Sequence, residues 1–497
     1  MNKINLFLIF IIILGLSIRL YKINIPLLEF YPSRQIQTAD IARNFLRNNF
    51  NILNPTVSYS GPGYTPFLVE FPGYNYLVAI LYLIFGIHEV IGRYVSLVGW
   101  FLSLILVYKI ALKISSKTTA NIAALFYSIS PLSVLISRSF QPDQWMLTFS
   151  LAGIYSILLW QRKKMFYFYL SAVFVSVSIL AKIPAVIFTL IPISYLVLKS
   201  KKDSFKIRNY LYLTISLLPG TFWFIYTYFR NISGLPTSGI FSLSNWFGFE
   251  VFLNPKYYLN IFGFEYNLVL LPIGIILFVI GIFQKLKPNQ KFLYFWLGGV
   301  ILYFLIFNKH NMTHEYYHLP FLPIAVLFIG FAGEKVWTAI YINVVLRGIL
   351  ISVLFFTIFL LMIFPTYQRA YKPIDRFSYV TTAAVKIRSV TKPSDLIIGS
   401  MDSGPSLVYY SNRNGWLFAV NRKEVEALFN FYGVKNARII DPIEDLEDLR
   451  RQGAVIFATA NKSQFTANAT FAKYIYSNYP VIMENDNFII FSLTSAK

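Results

Sequence analysis

KINIPLLEFYPSRQIQTADIARNFLRNNFNILNPTVSYSGPGYTPFLVEFPG, residues 22–73, is the longest polar stretch in the first three quarters of a chain that is otherwise a succession of apolar runs. It carries Glu29, Arg34, Asp40, Arg43, Arg47 and Glu70 between hydrophobic segments. Ionisable groups of both signs beside hydrocarbon are costly, and such groups mark a site.

The flanks of this stretch set the class. Of 497 residues, 56% are hydrophobic, 18% aromatic and only 13% charged, with a mean hydropathy of +0.56. That balance is too apolar for an ordinary soluble protein. The apolar residues fall in runs of the length a spanning helix needs, about 17 to 25 residues. The runs are 4–20, 90–111, 119–136, 146–160, 166–180, 184–198, 210–228, 268–283, 293–307, 319–331 and 349–364. They predict an all-α polytopic membrane domain of about eleven helices.

A net charge of +22 suggests nucleic acid in a soluble protein. Here it follows the positive-inside bias of short membrane loops, so no nucleic-acid partner is expected. Lys109, Lys113 and Lys117, then Arg162 to Lys164, Lys199 to Arg208, Lys285 to Lys291, and Lys335 with Arg347 mark alternate loops as cytoplasmic. By alternation the loop over 22–89 and the C-terminal region face outward. The amino terminus stays inside, and the first apolar run has no small-residue cleavage site, so it reads as a retained helix. The expected location is the cell (inner) membrane. With no cysteine, disulfides, thiolate metal sites and a Cys nucleophile are excluded.

Beyond residue 366 the apolar runs shorten to strand length, at 396–398, 455–457 and 488–491, with helical patterns at 423–432 and 443–451. This predicts a small C-terminal extracytoplasmic α/β domain over 367–497, after a membrane domain over 1–366. Glu444, Asp445, Glu447 and Asp448 read as a solvated helix face.

Within the opening stretch, 36–48 reads as a short helix at the membrane surface. Ile41, Ala42, Phe45 and Leu46 form its apolar side, and Asp40, Arg43 and Arg47 recur on another. An interfacial anchor whose arginines meet lipid phosphates accounts for the same pattern. Glu70 precedes Phe71-Pro72-Gly73 and an apolar segment, 74–87, too short to cross independently. A re-entrant or surface helix fits there, with Glu70 either capping its amino end or serving a site. Outward connections elsewhere hold Arg138 to Asp143, Lys182, and His310, His314 and His318 around Glu315, Tyr316 and Tyr317. If helical, the three histidines share one face. His314 and Glu315 are adjacent and diverge on a helix, so this is no HExxH zinc site. A substrate-lining role is expected, with a divalent metal on Glu70 or His314 left open.

Taken in order, Arg34-Gln35, Thr38-Ala39-Asp40-Ile41-Ala42-Arg43-Asn44-Phe45, Glu70-Phe71-Pro72, Gly92-Arg93, Gln141-Pro142-Asp143, Ala181-Lys182-Ile183-Pro184 and His314-Glu315-Tyr316-Tyr317 with Leu319-Pro320 resemble the GT-C glycosyltransferases. The chain is similar in particular to the branch that joins the lipid A aminoarabinose transferases, the protein O-mannosyltransferases and the RgtA/B/C/D-like glycosyltransferases. The resemblance covers the first span through the tenth. It implies transfer of a sugar on the outer membrane face, usually with inversion, from a polyprenyl-phosphate-linked donor to a glycolipid, polysaccharide or protein acceptor. It places Glu70 and Asp143 in the site, with Asp40 or Glu29 as further carboxylates. Arg34, Arg43, Arg138 and Lys182 are the cations for an anionic leaving group, and His314, Glu315, Tyr316 and Tyr317 line the substrate. The chain departs from its relatives at Gln37, commonly Asp, and at Phe71, where the aminoarabinose branch has Lys, which makes Lys182 the first candidate for holding phosphate. The rival class is a transporter or flippase of lipid-linked sugars. It predicts polar residues deep within several spans and an internal repeat, and no repeat is visible in this sequence.

Overall fold

The computed structural model describes residues 5–161, 164–198, 206–230, 246–339, 364–401, 404–423 and 440–494, with 345, 348–349, 352, 356 and 425–426 between them. The chain divides into two compact units. A helical one takes in Met1–Ile23 and Arg93–Ser233 with Trp246–Tyr371, and the other brings Asn24–Gly92 together with Lys372–Lys497.

In the helical unit the apolar runs become the helices Leu6–Leu20, Lys117–Ile129, Pro131–Arg138, Asp143–Trp160, Phe166–Ala181, Ala185–Val197, Ile207–Arg230, Leu271–Ile282, Phe292–Ile306 and Phe321–Ala339. The helix Glu89–Ile114 belongs largely to it as well. The run at 349–364 lies almost wholly outside the described residues. By length and composition, two described helices can cross a membrane, Glu89–Ile114 and Phe321–Ala339. Two bent pairs raise that number to four if each is one span.

Both bends have a local cause. The run expected over 119–136 turns by 59° at Ser130, whose backbone is extended (ψ 127°) because Pro131 follows it. Pro255–Val269 and Leu271–Ile282 meet at 104°, after a π-helical turn at Glu265–Val269 and at Leu271, which stands at φ 59° before Pro272. Close approach is bought by small residues elsewhere: a Cβ on Gly330 would come within 2.7 Å of the Thr119 carbonyl oxygen. Arg19 is fully buried in this unit, and serine hydroxyls and carbonyls replace its water. Nε donates to Ser137 Oγ at 2.7 Å, and the Nη atoms donate to Ser133 Oγ, Gly15 O and Ser128 O at 2.9–3.0 Å. Its guanidinium lies 3.8 Å from the Trp100 ring centroid.

The second unit is built on a six-stranded sheet. Its strands are β2 (Ser60–Gly61), β4 (Leu396–Ser400), β5 (Asn414–Phe418), β6 (Ala454–Thr459), β7 (Val481–Glu484) and β8 (Ile489–Ser492), in the order β2-β5-β4-β6-β8-β7. The pairs β4–β5 and β4–β6 are parallel and the rest antiparallel. Two further strands, β1 (Thr56–Val57) and β3 (Thr65–Pro66), pair with each other. Ile398, Phe418, Phe457, Phe471, Ile489 and Phe491 fill the core against Leu446, Leu449 and Ile475. The helix Pro442–Arg451 has Asp441 as its cap, Pro442 at its first position, acids in the first turn and Arg450 and Arg451 in the last. Of the four acids read as a solvated face, Glu447 instead accepts from Tyr474 and Tyr479, and Asp445 pairs with Arg422 at 2.5 Å. The helical pattern at 423–432 falls largely outside the described residues.

The N-terminal loop contributes strand β2 to this sheet. Ser60 stands opposite Trp416 and Gly61 opposite Gly415, and the amides of Gly415 and Leu417 donate to the Ser58 and Tyr59 carbonyls. Ile374 N donates to Leu28 O at 2.9 Å, so backbone bonds tie the two segments at a second place.

Candidate functional site

The helix expected over 36–48 runs Pro32–Arg47. It begins earlier because Tyr31 turns through a left-handed conformation (φ 54°) and Pro32 at the first helical position needs no hydrogen-bond partner. It is no interfacial anchor with one face in lipid. Pro32, Gln35, Ile36 and every residue from Thr38 to Phe45 are buried. Asp40 is fully enclosed, and its oxygens accept from Arg43 Nη2 at 2.7 Å, Ser58 N at 2.8 Å and Ser58 Oγ at 2.8–2.9 Å. Arg43 donates also to Tyr409 O at 2.9 Å and lies 4.2 Å from that residue's ring centroid. Burial pulls Arg43 down, but Asp40, with Tyr409 and Glu89, together more than offset it and raise the guanidinium above its ordinary value. Arg43 therefore meets a carboxylate and a carbonyl of the protein, and no lipid phosphate is needed to balance it.

Arg34 and Glu70 are arranged differently. They form an ion pair whose side chains keep 14% and 17% of their surface exposed. Together they line a recess with Gln37, Thr38, Pro72 and Asn75. The segment after Glu70 forms the helix Gly73–Phe85, and Asn75 Nδ2 ties it to Thr38 O at 2.8 Å. The residue at the cap position of that helix is Pro72, with no side-chain cap bond. Glu70 is thus turned to Arg34 instead of capping the helix. Gln37 faces the same recess. Glu29 is buried in this unit.

In the helical unit, Asp143 opens the helix Asp143–Trp160, where the dipole favours an anion. Its Oδ1 accepts from Lys182 Nζ at 2.6 Å. Its Oδ2, like both amide atoms of Gln141, is buried with no hydrogen-bond partner among the described residues. Lys182 follows the helix Phe166–Ala181 and lies 4.4 and 4.6 Å from the ring centroids of Tyr317 and Tyr316. The His310 ring stacks on Tyr317 (5.1 Å, 11°) and the His314 ring on Tyr316 (5.4 Å, 9°). Burial, reinforced by His314, Lys182 and Lys309, pushes His310 down to about 3.

The three histidines do not share a helical face. The helix Asn308–Thr313 ends before His314, whose backbone is extended, and a short 3-10 turn carries Glu315–His318. His318 accordingly points elsewhere, with Nδ1 2.7 Å from Glu265 Oε1 and Nε2 3.0 Å from Asn311 O. Glu315 pairs with Arg369 at 2.6 Å. Arg138 is buried, its Nη atoms donating to the carbonyls of Arg19, Tyr21 (2.6 Å), Lys22 (3.1 Å) and Ala370 (3.3 Å), with Tyr371 beneath it at 4.7 Å.

Sequence reasoning missed Ser58, Tyr409 and Glu265. Ser58 and Tyr409 carry no local signal, since their partners are tens to hundreds of residues away. Glu265 had one, a lone acid at the head of an apolar run. A resident divalent metal wants several converging His, Asp or Glu ligands, and no group of three or more such side chains occurs among the described residues. Glu70 is turned to Arg34 and His314 stacks on Tyr316, so neither candidate stands in such a group among the described residues.

Residues 66–226 match the family model described as dolichyl-phosphate-mannose-protein mannosyltransferase. An uncharacterized protein of Aquifex aeolicus (strain VF5) is 27% identical over 336 residues, 66% of this chain. The match covers 64% of that relative's own length, less than two thirds. Among solved structures, ArnT from Cupriavidus metallidurans bound to undecaprenyl phosphate superposes with a TM-score of 0.67 at 12% identity, covering 98% of each chain. The Archaeoglobus fulgidus oligosaccharyltransferase, in complex with Zn and sulfate, gives 0.60 at 13% identity over 98% of this chain and 72% of that one. The arabinofuranosyltransferase AftD from Mycobacteria gives 0.56 at 13% identity, over 100% and 40%. The motif order read from the sequence and these superpositions agree: the fold of this chain is that of the GT-C superfamily of membrane glycosyltransferases.

Proposed function

We propose that this chain is a membrane glycosyltransferase that moves a sugar from a polyprenyl-phosphate-linked donor to a glycolipid, polysaccharide or protein acceptor on the outer face of the cell membrane. The observation that carries the reading is Glu70: a partly open carboxylate, paired with Arg34, lining a small recess of mixed polar and apolar residues, within the stretch that matches the mannosyltransferase model. A neighbour solved with undecaprenyl phosphate supports the donor class. In this reading about eleven helices span the membrane, the amino terminus is cytoplasmic, and a membrane domain over 1–366 precedes an outward α/β domain over 367–497.

At the anomeric carbon the reaction makes one bond and breaks one. The acceptor hydroxyl oxygen attacks the anomeric carbon while its proton passes to a carboxylate. The bond from that carbon to the phosphate oxygen breaks, and its electron pair leaves with the phosphate. A phosphodiester monoanion becomes a monoester dianion, so the leaving group needs cations more than a proton. Glu70 suits the base, because Asp40 is enclosed with its oxygens already engaged. Arg34 orients Glu70. Lys182, positioned by Asp143 and flanked by two tyrosine rings, suits the donor phosphate, and His314, Tyr316 and Tyr317 suit the sugar. Arg138 is a positioning residue, committed to carbonyls.

The test incubates the purified protein with radiolabelled polyprenyl-phosphate sugars and candidate acceptors, comparing wild type with Glu70→Gln and Asp143→Asn. Transfer lost in both variants, with the fold intact, is the expected result. Absence of transfer or hydrolysis with every donor, together with lipid-linked sugar flipping in liposomes, would replace the reading by a flippase.

A further inference from the structure

A second recess of the α/β unit takes no part in the reaction above. Arg43, Arg47, Tyr64, Asn412, Arg413 and Asn414 are among the residues that line it, and no acidic side chain is. Arg43 and Arg47 stand one helical turn apart on Pro32–Arg47. Asn412 ends the helix Ser406–Ser411 in a left-handed conformation (φ 58°), which asparagine tolerates. Its Oδ1 lies 3.4 Å from Arg43 Nη1 and also accepts from Arg47 Nη1.

Two guanidinium groups therefore share one neutral oxygen. Arg43 is balanced by Asp40, and Arg413 spends its donors on the Thr391 hydroxyl and on the carbonyls of Arg388, Thr391, Ser411 and Asn412. Arg47 has no carboxylate partner among the described residues, and its side chain is open to solvent. Burial and then the Arg43 charge lower it from its ordinary value. Acids that act on this cluster from outside the recess are Asp40 on both Arg43 and Arg47, Glu89 on Arg43, and Asp395 on Arg413. None of them faces Arg47 at bonding distance.

We propose that this recess binds a phosphate-type oxyanion, held by Arg47 with the Tyr64 hydroxyl and the Asn412 and Asn414 amides, in the field of Arg43 and Arg413. An oxyanion supplies the charge that a neutral amide oxygen lacks, and charge-assisted bonds to guanidinium are the strong ones. Within the transferase reading the site anchors an acceptor that carries such a group. That use rests on the reading; the binding does not.

The experiment uses the full chain in phosphatidylcholine nanodiscs, titrated calorimetrically with inorganic phosphate at constant ionic strength, with chloride as reference. A parallel arm replaces part of the lipid with phosphatidic acid and follows thermal stability. Expected is phosphate-dependent binding, or stabilisation by phosphatidic acid, that weakens about tenfold or more in Arg47→Gln. Arg450→Gln, whose partner is Glu447, leaves it unchanged. Binding in the soluble arm identifies free phosphate as sufficient; binding only in the lipid arm identifies a headgroup. Equal affinity in Arg47→Gln, chloride matching phosphate, or no response in either arm overturns the proposal. Should Arg47→Gln fail to fold, Tyr64→Phe is read the same way, with a several-fold loss expected. Phosphate binding in a protein that transfers no sugar would leave this site standing and remove only its assigned use.

Discussion

One helix presents two arginines to two carboxylates, and the two pairs are built to opposite ends. Arg43 meets Asp40 where the carboxylate is fully enclosed and both of its oxygens are also bonded to Ser58. Arg34 meets Glu70 beside a recess, where both side chains keep some exposure. The first pair has no spare acceptor for a substrate proton, and its removal strands a buried charge. The second is reachable, so its removal takes away chemistry with little cost in stability.

That contrast breaks first at Glu70. Glu70→Gln is expected to lower sugar transfer by about 10²–10⁴-fold, while the melting temperature in detergent stays near wild type; wild-type turnover would move the base elsewhere. Asp40→Asn reverses the pattern. It is expected to cost about 3–5 kcal/mol of stability by leaving Arg43 partly unpaired, read from thermal or denaturant unfolding, and a loss below about 1 kcal/mol would mean that the pair is not a buried staple. Ser58→Ala tests the same network more gently, with about 1–3 kcal/mol expected because Asp40 loses a hydroxyl donor; an unchanged melting curve would show that the backbone amide alone suffices.

The smallest effect belongs to Glu447, far from both pairs in sequence. Burial raises its pKa, but bonds from Tyr479, Arg450 and Tyr474 outweigh burial and hold it below the ordinary 4.5. A carboxyl depressed in the folded state adds stability above its unfolded pKa and loses it as pH falls through the folded one. Wild type should therefore show a shallow loss of stability as pH drops below 4.5, and Glu447→Gln should flatten part of that slope. An identical acid profile in the variant would show that Glu447 gains nothing on folding.

Much of this was legible in the residues. Apolar runs of helical length marked the helices, because burying such runs is periodic and local. The Arg34 and Glu70 motifs stood out because charge beside an apolar run is costly. The three histidines misled, since a spacing of four implies a shared face only if the helix continues, and here it ends at Thr313. The amphipathic pattern at 36–48 was equally misleading. It displays polar residues that suit water or lipid headgroups, but their partners lie on the loop carrying Ser58 and on the helix carrying Tyr409.

By itself, then, the sequence determined the class of this protein, its helical segments and the order of motifs, all of which depend on hydrophobicity and neighbours along the chain. Only the tertiary structure decided that residues 24–92 share a compact unit and a β-sheet with the C-terminal region. It alone also decided which carboxylate paired with that helix's arginines became a staple and which stayed open. The reason is physical: an ion pair's use is set by what encloses it, and here the enclosing groups lie elsewhere along the chain, Ser58 18 residues from Asp40 and Tyr409 366 from Arg43.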